Sequence, residues 1–207
     1  MVENAMSYAI ALGKAVERVR SISDTLLADV WRCRAAIVAL PMGRELTVDE
    51  KLEAQFWLRA FLRAFFAHVE GVTFAMRRAA LEMHEQGHVG LSTAEACLLA
   101  EQRFVSERGK IKVLNTWNPL LDNVYLAFQV YPRAFRSSYA LNTSDNGWAC
   151  FQRALKLRDS VTHPKQPADL SLSPDSIRDL AAAIGWFSNQ VVGMFTACLD
   201  GLENEAT

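Results

Sequence analysis

Apolar residues recur along this chain at steps of three and four, the period of a helix that buries one face, nearly from end to end. Strand-like alternation is confined to residues 111–114. The expected class is therefore all-α, a helical bundle of about six helices with an N-terminal helical hairpin. The hairpin is expected as a helix over residues 4–20 followed by a second, capped by Ser23 or Asp24, with Leu26, Val30, Cys33, Ile37 and Leu40 inward and Pro41 and Gly43 as its stop. Residues 1–43 thus read as an appendage to a bundle spanning residues 47–201.

Thr47 with Glu50 has capping-box spacing and opens a helix expected over residues 48–86, with Gly87 as its exit. Its inward stripe is Trp57, Phe61, Phe65, His68, Val72, Met76, Ala79 and Met83. At 1.5 Å per residue such a helix is about 60 Å long, against a radius of gyration of about 17 Å for a compact chain of this size, so it must protrude or bend, with Gly71 as the expected bend. Ser92 with Glu95 caps a short helix. Pro119 starts another, with Leu121, Val124, Tyr125, Phe128 and Tyr131 on one face and Pro132 as its end. A polar loop leads into a helix over residues 147–161. His163-Pro164 and Pro167 impose an extended turn, and Ser173-Pro174 opens a final helix that Gly201 should end.

Composition narrows the class. The 207 residues are 51% hydrophobic and 22% charged, with 22 Lys and Arg against 23 Asp and Glu. A net charge of -1 excludes a disordered polyelectrolyte and gives no support for coating nucleic acid or anionic membrane by bulk charge. The apolar content lies slightly above the globular average, an excess that an oligomer interface would absorb. Cys33, Cys97, Cys150 and Cys198 are dispersed with no Cys-x-x-Cys pair, which fits a reducing cytoplasm. Polar residues stand where a signal peptide would be apolar, and no run approaches 18 apolar residues, so a cytoplasmic location and no membrane association are expected.

Two constellations compete for chemistry. His84-Glu85-Gln86-Gly87-His88 satisfies the H-E-x-x-H pattern, in which two His one helical turn apart bind zinc and the Glu activates water. Gly87, however, falls where the helix should end, and Gln86 is polar where a core residue is wanted. A solvated helix terminus is the simpler reading. The second constellation is the run from Leu157 to Lys165. On a helical wheel Arg158 lies about 20° from Phe151, in the middle of the apolar stripe, so it must either pair internally or point into a cleft. His163 precedes a proline and projects from the helix exit. Arg158 and His163 can equally be residues that satisfy the last carbonyls of the helix and its negative dipole end.

The run Arg158-Asp159-Ser160-Val161-Thr162-His163-Pro164-Lys165, at the end of a helix in an all-α chain, resembles the R-x4-H motif of the HEPN family. The upstream run Phe65-Phe66-Ala67-His68-Val69-Glu70-Gly71 is similar to the helix that packs against that motif in bacterial members. The resemblance covers roughly residues 47–200. It implies a metal-independent endoribonuclease of the toxin–antitoxin or defence type, with no cofactor, acting on RNA from a homodimer and open to neutralisation by an antitoxin-like protein partner. It assigns Arg158, His163 and Asp159 to catalysis; Asp159 stands where Asn is more usual, and its carboxylate could orient His163 but also sets negative charge beside an anionic substrate. Guanidinium suits a crowded phosphorane, and imidazole, titrating near ~6.5, suits proton transfer to or from the ribose oxygens. One His cannot be acid and base at once, so two copies sharing a cleft are expected. The implied alternative is a HEPN module without catalysis that binds nucleotide, RNA or protein. Lys165 stands where HEPN toxins modified by a nucleotidyltransferase carry Tyr, so that regulation is not expected. Lys165, Glu70 and Tyr139 are candidate substrate contacts, each with an ordinary alternative as a solvated or structural residue. Glu70 shares one face of its helix with Arg59, Arg63 and Arg77. The five tryptophans read as core, although Tyr139 and Trp148 flank the loop before the motif, where either ring could stack a base.

The charge is unevenly distributed along the chain. Residues 1–102, 103–165 and 166–207 carry -2, +6 and -5, so the basic block ends at the Arg158/His163 motif.

Overall fold

Six α-helices, one 3-10 turn and one β-hairpin make up the described residues, 2–41 and 44–203, of the computed structural model. In chain order they are α1 (Val2–Val38), α2 (Val48–Glu85), α3 (Thr93–Leu99), β1 (Gln102–Glu107), β2 (Lys110–Asn115), α4 (Leu120–Ala134), α5 (Asn146–Thr162), the 3-10 turn Pro167–Leu170 and α6 (Pro174–Glu203). The all-α expectation holds.

Its N-terminal hairpin does not. α1 is one continuous helix of 37 residues. Residues 20–24 contain neither Gly nor Pro, and Ser23, expected to cap a second helix, instead directs its hydroxyl to His68 Nε2 at 3.0 Å. The helix stops short of Pro41 as expected, and Gly43 lies outside the described residues. α2 keeps its capping box, Thr47 N donating to Glu50 at 2.8 Å and Glu50 N to Thr47 Oγ1 at 3.3 Å. It runs unbroken through Gly71, where a side chain would collide with Leu26 and Ile22 of α1. The glycine thus serves close helix–helix approach. Two further stops were misplaced. α4 continues past Pro132 to Ala134, because a proline in the final turn removes only one helical hydrogen bond, and α6 continues through Gly201.

The chain divides into two compact units, and α1 is shared between them: Met1–Ser21 belongs to one unit and the helix from Ile22 to the other. The first unit comprises Met1–Ser21, Val72–Leu141 and Gly193–Thr207. Its core joins Leu12, Ala15 and Val19 of α1, Val72, Met76, Ala79 and Met83 of α2, Val124, Phe128 and Tyr131 of α4, and Met194 and Cys198 of α6. Arg77, expected beside Glu70 on a solvated face, is only 2% exposed here, its guanidinium bonded to Asn123 Oδ1 at 2.5 Å and Glu101 Oε1 at 2.8 Å. The β-hairpin also lies in this unit; only its second strand had any signal, and its side chains are almost wholly exposed.

The second unit comprises Ile22–Gly71 and Asn142–Val192. Its centre is aromatic: Phe151 lies 5.6 Å from Phe66, 5.7 Å from Trp148, 5.0 Å from Trp186 and 6.1 Å from Phe187. α6 has a stretch, Pro174–Asp200, long and apolar enough by composition to cross a membrane, its most apolar 18 residues having a mean hydropathy of 1.2. Its inward residues in the second unit, Leu180, Ala183 and Phe187, are fully buried in the core.

Gly147 fixes how closely α5 meets α6, since a Cβ there would lie 2.6 Å from Trp186 Cβ. Gly147→Ala is expected to destabilise by about 1–3 kcal/mol through overpacking. Gly185→Ala, with open space around the site, should be neutral or stabilising by up to about 1 kcal/mol through helix propensity. Urea denaturation of both variants measures the contrast.

Candidate functional site

The candidate residues of the Arg158/His163 motif lie in the second unit and are positioned from the aromatic core outward. Asp145 caps α5, accepting from Trp148 N at 3.0 Å, and Trp148 and Phe151 then seat the helix, stacked 5.7 Å apart. Two turns beyond Phe151, Arg158 emerges at the edge of the core. Its guanidinium lies 5.8 Å from the Phe66 ring centroid, forms an ion pair with Glu70 of α2 and bonds Asp159 Oδ1 at 2.9 Å. The side chain is 22% exposed, so the wheel's dilemma resolves toward internal pairing at the core margin.

One polar face of α2 grips the chain that follows. Arg63 donates to Val161 O at 3.1 Å and Arg59 to Leu170 O at 3.0 Å. Gln55 donates to Leu172 O at 3.0 Å and accepts from Leu172 N at 2.8 Å. Arg59, Arg63 and Glu70 are therefore structural ties to the motif segment, a role that single-helix geometry had left open.

His163 caps α5, its own N–H donating to Asp159 O at 2.9 Å, and its side chain is exposed. It lines a groove of about 580 Å³ with Asp159, Ser160, Lys165, Gln166 and Asp169. The structure thus brings Asp159, His163 and Lys165 together. Arg158 is not among the lining residues and meets the groove only through its bond to Asp159. Asp169 was missed by sequence reasoning. Its carboxylate accepts from Lys165 N at 2.8 Å and Gln166 N at 3.1 Å, and these backbone donors, that of Lys165 foremost, hold its pKa below the usual carboxylate value. The three-residue spacing from Gln166 to Asp169 was the available signal, because it is the spacing of a capping box.

Two expected contacts lie elsewhere. Tyr139 belongs to the first unit, where its ring sits 6.3 Å from Phe128 and against Gly193, and burial raises its hydroxyl pKa. Trp148 is a core residue, 7% exposed, as expected of the tryptophans, and offers no open platform for a base. The H-E-x-x-H run fails geometrically, since α2 ends at Glu85 and Gly87 takes a left-handed φ of 76°. His84 and His88 therefore do not sit on successive turns of one helix. His84 Nδ1 lies 3.0 Å from Val89 O, while the His88 ring packs edge-on to Tyr8 at 5.5 Å. Among the described residues, no group of three His, Cys, Asp or Glu is placed to hold a metal ion.

No family model, curated protein or solved structure matches this chain.

His68, expected on the inward stripe of its helix, is a hydrogen-bonded core histidine: it is 5% exposed, bonded to Ser23 and edge-on to Phe187 at 5.8 Å. Burial lowers its pKa from 6.5 to about 4. Below pH 6.5 the unfolded chain takes up a proton that the folded chain refuses. The stability that neutral His68 contributes is thus complete above that pH and is lost as the pH falls toward 4. About 3 kcal/mol is at stake over this window. Chemical denaturation from pH 7 to 4 should show this slope in the wild type and its loss in His68→Leu.

Proposed function

We propose that this chain is a HEPN-type protein that cleaves single-stranded RNA without a metal, acting as a homodimer. The observation that carries this reading is the end of α5, where an arginine clamped against the core by Glu70 is followed, at the helix exit, by an exposed His163 opening onto a groove with Lys165. In this chemistry His163 accepts the proton of a ribose 2′-hydroxyl, the 2′-oxygen attacks the adjacent phosphorus, and the bond to the 5′-oxygen breaks. His163 of the partner subunit protonates that leaving oxygen, and Arg158 offsets the phosphorane charge. The products are a 2′,3′-cyclic phosphate and a 5′-hydroxyl.

An exposed apolar stripe supports the dimer. Val48, Leu52 and Phe56 are 73%, 65% and 56% exposed at successive turns of α2. They fall within about 80° of the helix circumference shared by Arg59, Arg63 and Glu70. A second copy seated there would lie on the same helix face that ties down the motif segment.

A second reading, a HEPN module that binds RNA, nucleotide or protein without cleaving, is favoured by one feature: two carboxylates, Glu70 and Asp159, already face Arg158, and Asp159 and Asp169 both line the groove. Carboxylates there oppose an anionic substrate and compete for the guanidinium.

Incubating the protein with single-stranded RNA in EDTA separates the readings. Cleavage to 2′,3′-cyclic ends is expected, reduced about 10²–10⁴-fold in His163→Ala and about 10²–10³-fold in Arg158→Ala. Leu52→Glu with Phe56→Glu should yield a monomer by light scattering and lose cleavage. RNA binding without cleavage in the wild type would establish the second reading, and cleavage by a strict monomer would refute the composite site.

A further inference from the structure

The β-hairpin of the first unit is rooted firmly and covered by almost nothing. At its root, Glu101 adopts a left-handed φ of 53°, its side chain meets buried Arg77, and its carbonyl accepts from Thr116 N at 2.8 Å. At its tip, Arg108 and Gly109 both take positive φ, 51° and 77°, the conformation of a tight two-residue turn. Among the described residues each strand pairs only with the other, and every residue of β2 is exposed. Two-stranded hairpins are marginal alone, and open edges are usually blunted or covered.

The register sorts the side chains into two unlike faces, because directly paired residues point the same way. Gln102 with Asn115, Phe104 with Val113 and Ser106 with Ile111 make one face that carries no charge. On it Phe104 is 56% exposed, Val113 52% and Ile111 77%. Arg103 with Leu114, Val105 with Lys112 and Glu107 with Lys110 make the other. Glu107 pairs with Lys112. Arg103, Arg108 and Lys110 have no ion-pair partner among the described residues. Over residues 102–115 four cations thus stand against one anion.

We propose that the open edge of β2 docks an extended, acidic, amphipathic segment of another protein as a third strand. Such a strand, alternating apolar and acidic residues, satisfies three features with one occupant. Its backbone pairs with the open edge of β2. Its apolar side chains cover Ile111, Val113 and Phe104. Its carboxylates meet Lys110 and Lys112 on the opposite face. A nucleic acid answers the cations but leaves the uncharged apolar face in water. A second copy of this chain sets the cationic face of one hairpin against the like charges of the other. The inference is independent of RNA cleavage, since none of its residues belongs to the Arg158/His163 motif.

The test uses the full chain and a fluorescein-labelled nonapeptide alternating Val and Glu, followed by anisotropy. Controls are a block-ordered peptide of the same composition, one with Lys in place of Glu, and one with Pro at the centre, which cannot donate to the ladder. At least tenfold tighter binding of the alternating acidic peptide than of each control is expected. Lys110→Glu with Lys112→Glu should transfer the preference to the Lys peptide, with helical circular dichroism unchanged. Arg158→Ala and His163→Ala should bind the acidic peptide as the wild type does, which keeps the fate of this proposal apart from that of cleavage. Equal affinity for alternating and block-ordered peptides would overturn the proposal. So would displacement of the acidic peptide by oligouridylate at the hairpin, or a wild-type dimer that Phe104→Ser with Ile111→Ser dissociates.

Discussion

Two turns of helix separate Phe151 from Arg158, and the burial of the first decides where the second can go. Phe151 is fully buried among Phe65, Phe66, Trp148, Trp186 and Phe187, so the azimuth of α5 about its own axis is fixed by a packed aromatic cluster. With the azimuth set, the side chain seven residues on must leave along nearly the same direction, and it reaches the edge of the cluster over Phe66 beside Glu70. The polar residues of α2 then finish the task by tying down the backbone from Val161 to Leu172. The motif end of the second unit is therefore held by an apolar lock on one side and a row of donors on the other.

Much of this was legible from the chain. The caps at Thr47/Glu50 and Ser92/Glu95 are local chemistry and appear where their spacing put them. The placement of Arg158 in the apolar stripe of α5 also follows from a wheel alone. What it pairs with does not, because Glu70 lies 88 residues earlier on another helix and only packing brings the two together. The same limit explains the errors. Ser23 has the chemistry of a cap, but a buried imidazole within reach offered its hydroxyl another partner, and α1 ran on. Arg77 looked solvated by its helical phase, but Glu101 and Asn123 gave it a buried site. The β-hairpin was nearly invisible because period-two alternation signals a strand that packs one face, and this one packs neither.

The basic block that the sequence concentrates in residues 103–165 is much less basic once folded. Arg133 bonds Glu95 at 2.5 Å and the Gly90 carbonyl at 2.7 Å, Arg153 holds Asp179 in a two-pronged contact at 2.7 and 2.8 Å, and Arg158 faces Glu70. Each of these pairings uses a linear charge to fasten one element to another within its own unit. Several of the cations left over stand on the hairpin, so net charge along the chain overstates the field at the motif and understates it at β1 and β2.

The root of that hairpin has a consequence for how this sequence can drift. Glu101 and Thr116 are joined by a backbone hydrogen bond, so the chain enters and leaves the hairpin at nearly the same place. The side chain that fastens the root, Arg77, comes from α2 and not from either strand. Nothing in the buried core of the first unit therefore depends on how long the two strands are. Related sequences can lengthen, shorten or replace residues 102–115 with a simple turn while keeping Arg77 and Glu101. Length variation at this position, beside constancy at its root, would mark the hairpin as the interchangeable part of the fold.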